Sequence, residues 1–173
     1  MARIRKFCAY RRLERAYTRK SKYKTKSFVR ASPNIKVVRF DMGELKDKFQ
    51  YSLSLVSGAD LQIRHNAIEA ARLTSNRVLE KKLGKSAYYM KIKIFPHHIL
   101  RENPLASGAG ADRMSTGMKM SFGKPIGIAA RVRKGQVLFE VKCNKSGLET
   151  AKEALKKASQ KIPCSCKIEV QAS

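Results

Sequence analysis

Six short runs of the chain predict strands, and in five of them hydrophobic and polar residues alternate with the period of two that half-buried strands show. In the third run, Met90, Ile92 and Ile94 alternate with lysines. Asp41-Met42-Gly43 predicts a turn, and Lys134-Gly135 predicts a tight turn that joins the fourth and fifth strands in a hairpin. The predicted strands cover residues 35–40, 49–56, 88–95, 126–133, 137–142 and 164–170.

Two longer segments carry apolar residues at helical spacing. Asp60 is a candidate N-cap for a helix that runs to Leu83, with Gly84 just past its end. A second helix is predicted from a capping box, in which Ser146 is the N-cap and Glu149 the N3 residue, to a stop at Pro163. The order of elements predicts an α+β fold with a mostly antiparallel sheet and two covering helices.

The charge of the chain is its strongest compositional signal. The 173 residues hold 38 Lys+Arg and 13 Asp+Glu, so the formal net charge is +25. A compact domain repels itself at this charge, and nucleic acid is the partner that neutralises it best. The sequence predicts no membrane partner, because its apolar runs are all shorter than the ~18 residues of a membrane span.

The charge is concentrated in residues 1–30, which hold twelve basic residues and one acid. We therefore predict a basic extended arm over residues 1–30 and a single α+β RNA-binding domain over residues 31–173, with a long functional loop at 99–125. An address to an organelle is a minor alternative for the arm.

Aromatic residues are interleaved with the basic residues of the arm, a combination that suits unpaired RNA bases and phosphates. The alternative is a solvated basic tail whose aromatic rings pack against the body. Two arginines of the first predicted helix join the set. The candidate RNA-binding residues are Arg3, Arg5, Lys6, Arg11, Arg12, Arg15, Arg19, Lys20, Lys22, Lys24, Lys26, Arg64 and Arg72.

Residues 99–125 have no clear period and hold four of the ten glycines and three of the six methionines. Aperiodic loops of this length are usually functional or disordered. Small residues beside Arg113, Lys119 and Lys124 are suited to reach into a crowded RNA site. The alternative is a disordered insertion without a target.

The sequence gives little support for a catalytic site or for a cofactor-binding motif. Gly117 to Pro125 departs from a phosphate-binding loop in its glycine spacing, and Pro125 removes a backbone N–H. Cys143, Cys164 and Cys166, with His97 or His98, form a weak zinc pattern, since Cys164 and Cys166 fall on the inward face of the last predicted strand with Ile168 and Val170. We expect core thiols, no metal, no cofactor and no catalytic residue.

The motifs together resemble the universal large-subunit ribosomal protein family sixteen, called ten-e in archaea, and the chain is more similar to the archaeal form. The segments that carry the resemblance are ASPNIKVVRFDMG at 31–43, QIRHNAIEAAR at 62–72, LREN at 100–103, GAGADRM at 108–114 and FGKP at 122–125.

The resemblance implies an α/β-hammerhead-like fold and a structural role in the large subunit of the cytoplasmic ribosome. It implies binding to large-subunit rRNA near the aminoacyl-tRNA site and the central protuberance, with loop 101–118 directed toward the peptidyl transferase centre and the tRNA acceptor ends. Implied partners are rRNA, tRNA and neighbouring ribosomal proteins, and no independent homo-oligomer. The tRNA-proximal positions are Arg101, Asn103, Ser107, Gly108, Gly110, Asp112, Arg113, Met114, Lys119 and Lys124.

Two other classes compete with this interpretation. One is an RNA-processing enzyme that uses a metal ion, and the other is a free-standing RNA chaperone or DNA-binding module. Turnover or bound zinc favours the first, and failure to co-sediment with large subunits favours the second.

Overall fold

The computed structural model describes residues 5–18, 23, 25, 33–45, 49–102 and 123–172. These residues form an α+β fold with two antiparallel sheets, which confirms the predicted fold class. Short 3-10 turns lie at Phe7–Ala9 and Lys145–Gly147. The elements are β1 (Asp41–Gly43), β2 (Tyr51–Ser57), β3 (Leu61–Arg64), α1 (His65–Leu83), β4 (Tyr88–Ile92), β5 (His98–Glu102), β6 (Lys124–Val132), β7 (Val137–Cys143), α2 (Leu148–Ser159) and β8 (Cys166–Ala172).

The larger sheet has five strands in the order β1-β4-β7-β2-β8. Its inward face holds the main core, where Met90, Val141 and Leu53 lie side by side on neighbouring strands and are fully buried. Val170 continues this row on the edge strand β8, yet 44% of its surface is exposed. The prediction that Val170 is a buried, inward-facing residue is therefore wrong.

Helices α1 and α2 pack against each other and against the strands, with their apolar stripes turned inward. Ile68 and Ala71 of α1 are fully buried, and so are Leu155 and Ala158 of α2. Burial of each large apolar side chain stabilises the fold by about 1.5–3 kcal/mol. These faces confirm the two predicted helical stripes.

The first helix begins later than predicted. Residues Leu61–Arg64 form β3, which pairs with β6 through Leu61 opposite Val132 and Ile63 opposite Ala130. Asp60 does not cap α1. Its Oδ1 accepts a hydrogen bond of 2.6 Å from the backbone N–H of Lys134, in the turn that follows β6. The predicted helix start at Asp60 is wrong, since the pairing with a distant strand overrides the local cap signal.

The predicted hairpin between residues 126–133 and 137–142 is also wrong. The turn at Lys134 and Gly135 is present, with a positive φ of 82° at Gly135, but its two strands enter different sheets. β6 is the centre of a three-stranded sheet in the order β3-β6-β5, whereas β7 lies inside the five-stranded sheet. Backbone bonds from Gly135 N to Ser57 O (2.8 Å) and from Ser57 N to Gln136 O (3.0 Å) fix this crossing point.

Three further local predictions are wrong. Asp41–Gly43 is not a turn but the short strand β1, and the predicted strand 35–40 is irregular. Gly43 is required there, because its φ is +86° and an added Cβ would lie 2.1 Å from the carbonyl oxygen of Tyr88. The capping box at Ser146 is absent, since α2 starts at Leu148 without a side-chain cap.

Candidate nucleic-acid interface

The described start of the chain, residues 5–18, is hydrogen-bonded to both edge strands of the three-stranded sheet. The backbone N–H of Gln62 on β3 donates to the carbonyl of Arg11 (3.3 Å), and the backbone N–H of Ile99 on β5 donates to the carbonyl of Tyr17 (3.2 Å). The side-chain amide of Gln62 also donates to the carbonyl of Arg12. Residues 5–18 are hereafter called the docked segment, because these bonds attach them to β3 and β5.

Tyr10 is the apolar anchor of the docked segment. It is 3% exposed and packs with Leu100 and Ala129, which are also buried. Its hydroxyl donates toward Glu102 Oε2 (3.4 Å) and accepts the backbone N–H of Arg5 (3.2 Å). The guanidinium of Arg5 closes the group with an ion pair of 2.5 Å to Glu102 Oε1.

His98 is the polar anchor at the other end of the docked segment. Its Nδ1 accepts the backbone N–H of Tyr17 at 2.8 Å, which requires an unprotonated nitrogen. Burial, together with the nearby charges of Arg131 and Arg101, lowers the pKa of His98 to about 4. The imidazole is therefore a neutral acceptor at neutral pH. The guanidinium carbon of Arg101 lies 3.4 Å from the centre of the Tyr17 ring, a cation–π contact that closes this end.

The docked segment presents basic side chains to solvent. Arg5, Lys6, Arg11, Arg12 and Arg15 are all exposed. Among the described residues, only Arg5 of this group has an ion pair with a carboxylate. Arg64 at the end of β3 donates to the carbonyl of Arg5 (3.4 Å), and Arg131 is exposed on β6. The basic surface is defined here as Arg5, Lys6, Arg11, Arg12, Arg15, Arg64, Arg101 and Arg131.

Arg72 occupies a different environment from the other candidates. It lies two turns beyond Arg64 on α1 and forms a two-pronged contact with Glu69, at 2.9 and 2.6 Å. Its Nη1 also lies 3.4 Å from Met42 Sδ, and its side chain is only 12% exposed. The hydrogen bond with Glu69 raises the pKa of Arg72. The structure does not bring Arg72 together with the basic surface, so its predicted role in RNA binding has the least support.

The candidate loop is framed by β5 and β6. Both predicted ends of the aperiodic segment turn out to be strands, because Arg101 lies opposite Pro125 and Glu102 opposite Lys124. Lys124 is exposed. The remaining loop candidates fall outside the described residues: Asn103, Ser107, Gly108, Gly110, Asp112, Arg113, Met114 and Lys119. The same holds for the arm candidates Arg3, Arg19, Lys20, Lys22, Lys24 and Lys26.

The aromatic residues of the arm do not all remain available to bases. Tyr10 is buried, Phe7 packs against the main core, and Tyr17 lies beneath Arg101. For these three rings the alternative of packing against the body is correct. Tyr23 is 60% exposed.

The cysteines and histidines do not form a shared cluster. Cys143 is fully buried in the core, while the sulfurs of Cys164 and Cys166 lie 3.7 Å apart at the edge of the five-stranded sheet. Burial, with a contribution from Cys164, raises the pKa of Cys166 to about 12, so this thiol stays protonated at neutral pH. Within the described ranges, no three His, Cys, Asp or Glu side chains come together as metal ligands would. In the same part of the chain, no helix combines the length and apolar character that crossing a membrane requires.

Residues 14–169 match the sequence model of the family described as "Ribosomal protein L16p/L10e". The chain belongs to this family. It is 46% identical over 162 residues to the large ribosomal subunit protein uL16 of Methanococcus maripaludis (strain DSM 14266), which covers 93% of this chain and 90% of the relative. The protein of the same name from Archaeoglobus fulgidus is 46% identical over 162 residues, covering 94% and 90%. That of Methanospirillum hungatei is 46% identical over 155 residues, covering 89% and 88%.

Membership in the L16p/L10e family confirms the resemblance found in the sequence motifs. As a member, the chain is a structural ribosomal protein and not an enzyme, and its place is the cytoplasmic ribosome. The relatives named above come from archaea, in agreement with the archaeal-type motifs.

Sequence reasoning missed the residues that hold the docked segment. Gln62, His98 and Glu102 are buried polar side chains that anchor or pair with it. One signal was available, since Leu61-Gln62-Ile63-Arg64 alternates like a strand and Gln62 is the polar position of that alternation. Nothing in the local sequence marks Tyr10 as an anchor, because its partner Glu102 lies 92 positions later.

Proposed function

We propose that this L16p/L10e family member is a structural constituent of the large ribosomal subunit, and that its basic surface binds large-subunit rRNA near the aminoacyl-tRNA site and the central protuberance. Loop 101–118 then extends toward the peptidyl transferase centre and the tRNA acceptor ends. The partners are rRNA, tRNA and neighbouring ribosomal proteins.

The observation that carries the rRNA part is the set of arginines whose charge the described protein does not neutralise. Arg11, Arg12 and Arg15 are exposed on a segment whose backbone is fixed to the sheet, with no described carboxylate paired to them. Fixed backbone reduces the entropy lost when these side chains engage phosphates. Such cations release counterions from RNA on binding, which supplies affinity without chemistry.

The loop part is supported by its point of attachment. Glu102 and Lys124 lie opposite each other at the end of the β5–β6 pair, so the chain leaves β5 and enters β6 at one place. That pair belongs to the same sheet that holds the docked segment. A body attached to rRNA through the basic surface therefore carries the base of the loop with it.

A charge-matched pair of triple variants tests the rRNA part. We expect Arg11→Gln/Arg12→Gln/Arg15→Gln to weaken binding to purified large-subunit rRNA and to make the slope of log K against log salt shallower by about 2–3, since each phosphate contact contributes roughly 0.7–0.9. The control, Lys152→Gln/Lys156→Gln/Lys161→Gln, removes three charges from exposed positions on and just beyond α2.

The control should leave the slope within about 1 of the unmodified chain. Equal losses in both variants would indicate binding by total charge alone and would contradict a defined rRNA surface. Titrations from low to high KCl, with circular dichroism to verify folding, provide the measurement.

A further inference from the structure

Three rings contact one another in a row, here called the stack: Phe40, which precedes β4, then Phe95 and His97, which follow it, the first pair stacked and the second tilted. The ring centres of Phe40 and Phe95 are 5.2 Å apart with an interplanar angle of 21°. Those of Phe95 and His97 are 4.4 Å apart at 41°. The stack runs from the core to the surface, because Phe40 packs against the main core, Phe95 is 41% exposed and His97 is exposed.

The backbone on both sides holds this stack in place. The carbonyl of Phe40 accepts the backbone N–H of Ile92 at 2.9 Å, which ties the inner ring to β4. Ile94 and Pro96 are buried on either side of Phe95. The backbone N–H of His97 donates to the carbonyl of Phe95 at 3.0 Å, a tight turn that places the two side chains on one surface. The outer rings are therefore preorganised, with little rotamer freedom left to lose on binding.

Single exposed apolar residues need no explanation, but exposed rings stacked on one another are a different feature. Flat rings in ordered stacks offer the geometry on which nucleobases stack, and every base has a π-face that fits them. His97 lies at the outer end of the stack and is exposed.

The stack adjoins the basic surface. His97 directly precedes His98, whose imidazole holds Tyr17 of the docked segment, and Arg101 of the same strand covers the Tyr17 ring. A nucleic acid whose phosphates lie along the docked segment therefore comes within reach of the outer rings. Cationic side chains next to a ring platform are the combination that binds unpaired nucleotides.

We propose that Phe95 and His97 form a stacking platform for an unpaired base of the RNA that the basic surface binds. This inference rests on the proposed function, and it adds a contact of another kind: the platform recognises a base by its face, whereas the basic surface recognises phosphates by charge. Because stacking of a base on a ring face neutralises no phosphate and so releases few counterions, its contribution to affinity is largely independent of salt.

The test uses the full chain with His97→Ala, the ring-retaining His97→Tyr, and Leu73→Ala as a control at an exposed apolar position of α1, where Leu73 is 53% exposed. The probes are purified large-subunit rRNA and an unpaired oligoadenylate that carries 2-aminopurine, both at pH 8 and several KCl concentrations. His97→Ala should weaken binding by about 5- to 150-fold, the equivalent of 1–3 kcal/mol for one stacked base. The salt slope should stay unchanged.

Two further readouts support the platform. His97→Tyr should restore most of the affinity, and 2-aminopurine fluorescence should be quenched by the unmodified chain and by His97→Tyr but not by His97→Ala. Leu73→Ala should bind like the unmodified chain.

The failures of the two proposals are distinguishable. If the unmodified chain binds rRNA with a steep salt slope and His97→Ala does the same with equal affinity, the platform is wrong and the proposed function stands. If His97→Ala binds naked rRNA normally but fails to enter subunits that contain their proteins, a protein covers these rings and the platform is again overturned. If the unmodified chain does not bind rRNA, both proposals fall.

Discussion

The two sheets of this ribosomal protein use basic residues in opposite ways. On the open face of the five-stranded sheet, lysines pair with carboxylates of neighbouring strands, as Lys93 does with Glu140 (2.5 Å) and Lys91 with Asp41 (3.7 Å). On the three-stranded sheet, the docked segment exposes Arg11, Arg12 and Arg15, which have no carboxylate partner among the described residues. Under the proposed function, the distribution of acids is a better guide to the RNA-binding surface than the total charge of the chain.

The same comparison separates two sources of stability. The five-stranded sheet and its helices are held by a core of fully buried side chains such as Leu53, Phe139 and Leu155. The docked segment depends on one buried ring, a few main-chain hydrogen bonds and the pair between Arg5 and Glu102. We therefore expect the docked segment to open before the rest of the protein, since local units with few apolar contacts have the lowest opening free energies.

The largest effect is expected from Tyr10→Ala, which removes the buried ring of the docked segment. Loss of a large buried side chain costs about 3–5 kcal/mol, and here the cost falls on docking rather than on the main core. The amides of Gln62 and Ile99 report docking directly, because they donate to carbonyls of the segment. Their hydrogen exchange should accelerate markedly, while amides inside β2 and β7 keep their protection.

Tyr23→Ala is the matched control, since that ring is 60% exposed. If Tyr10→Ala accelerated exchange equally in both sheets, the docked segment would be part of the main cooperative unit, and the comparison between the two regions would fail.

The next effect is a dependence of docking on pH through His98. Its pKa is about 4 in the folded protein and 6.5 in an unfolded chain, so below pH 6.5 the unfolded form binds more protons. Docking is therefore strongest above about pH 6.5 and weakens as the pH falls toward 4; for complete unfolding the same shift corresponds to on the order of 3 kcal/mol, and the share that falls on docking is smaller. Exchange at the Ile99 amide, followed from pH 7.5 to 4.5 and corrected for the intrinsic rate, provides the measurement.

A variant that accepts a hydrogen bond but does not titrate isolates this effect. His98→Asn should remove most of the pH dependence at Ile99 in this range. The other buried histidine, His65, also has a lowered pKa because of burial and nearby Lys36, and it contributes equally to both proteins. An unchanged pH profile in His98→Asn would show that another group controls docking.

The smallest expected effect is that of removing a single positive charge, either from a cation paired with a carboxylate or from one without a described carboxylate partner. Lys82 on α1 pairs with Glu153 on α2 at 2.5 Å, whereas Arg12 has no described carboxylate partner. Both Lys82→Gln and Arg12→Gln remove one positive charge. We expect the salt slope of rRNA binding to fall by about 0.7–0.9 for Arg12→Gln and to stay unchanged for Lys82→Gln. Equal slopes would mean that paired and unpaired cations contribute alike.

Local periodicity was sufficient to predict the elements that face the main core. The alternation around Leu53 and Met90 corresponds to buried positions. So do the apolar stripes of the two helices, at Ile68 in α1 and at Leu155 in α2. It was insufficient to predict which strands pair. Residues 126–133 and 137–142 have the pattern of a hairpin, yet a connection at Gly135 sends them to separate sheets, because β6 finds its partners in β3 and β5.

The sequence was sufficient to predict most of the basic residues that form the candidate interface, but not the contacts that hold them in place. The basic residues of the arm are evident in the sequence, and five of them are exposed on the docked segment. The contacts that place them link Tyr10 with Glu102 and Tyr17 with His98, across 92 and 81 positions of chain. Pairings over such separations follow from the complete fold, and no window of local sequence contains them.

At Arg11 and Arg12 the three-stranded sheet holds the docked segment by its main chain. The carbonyls of Arg11, Arg12 and Tyr17 accept the bonds from Gln62 and Ile99, while the arginine side chains at these positions take no part in the attachment. The main-chain carbonyls of Arg11 and Arg12 thus attach the docked segment to the sheet, while their side chains face solvent, where the proposed function has them bind phosphates. The side chains at positions 11 and 12 can therefore change to suit another RNA contour without loosening the docked segment, whereas the Tyr10 ring has to be kept.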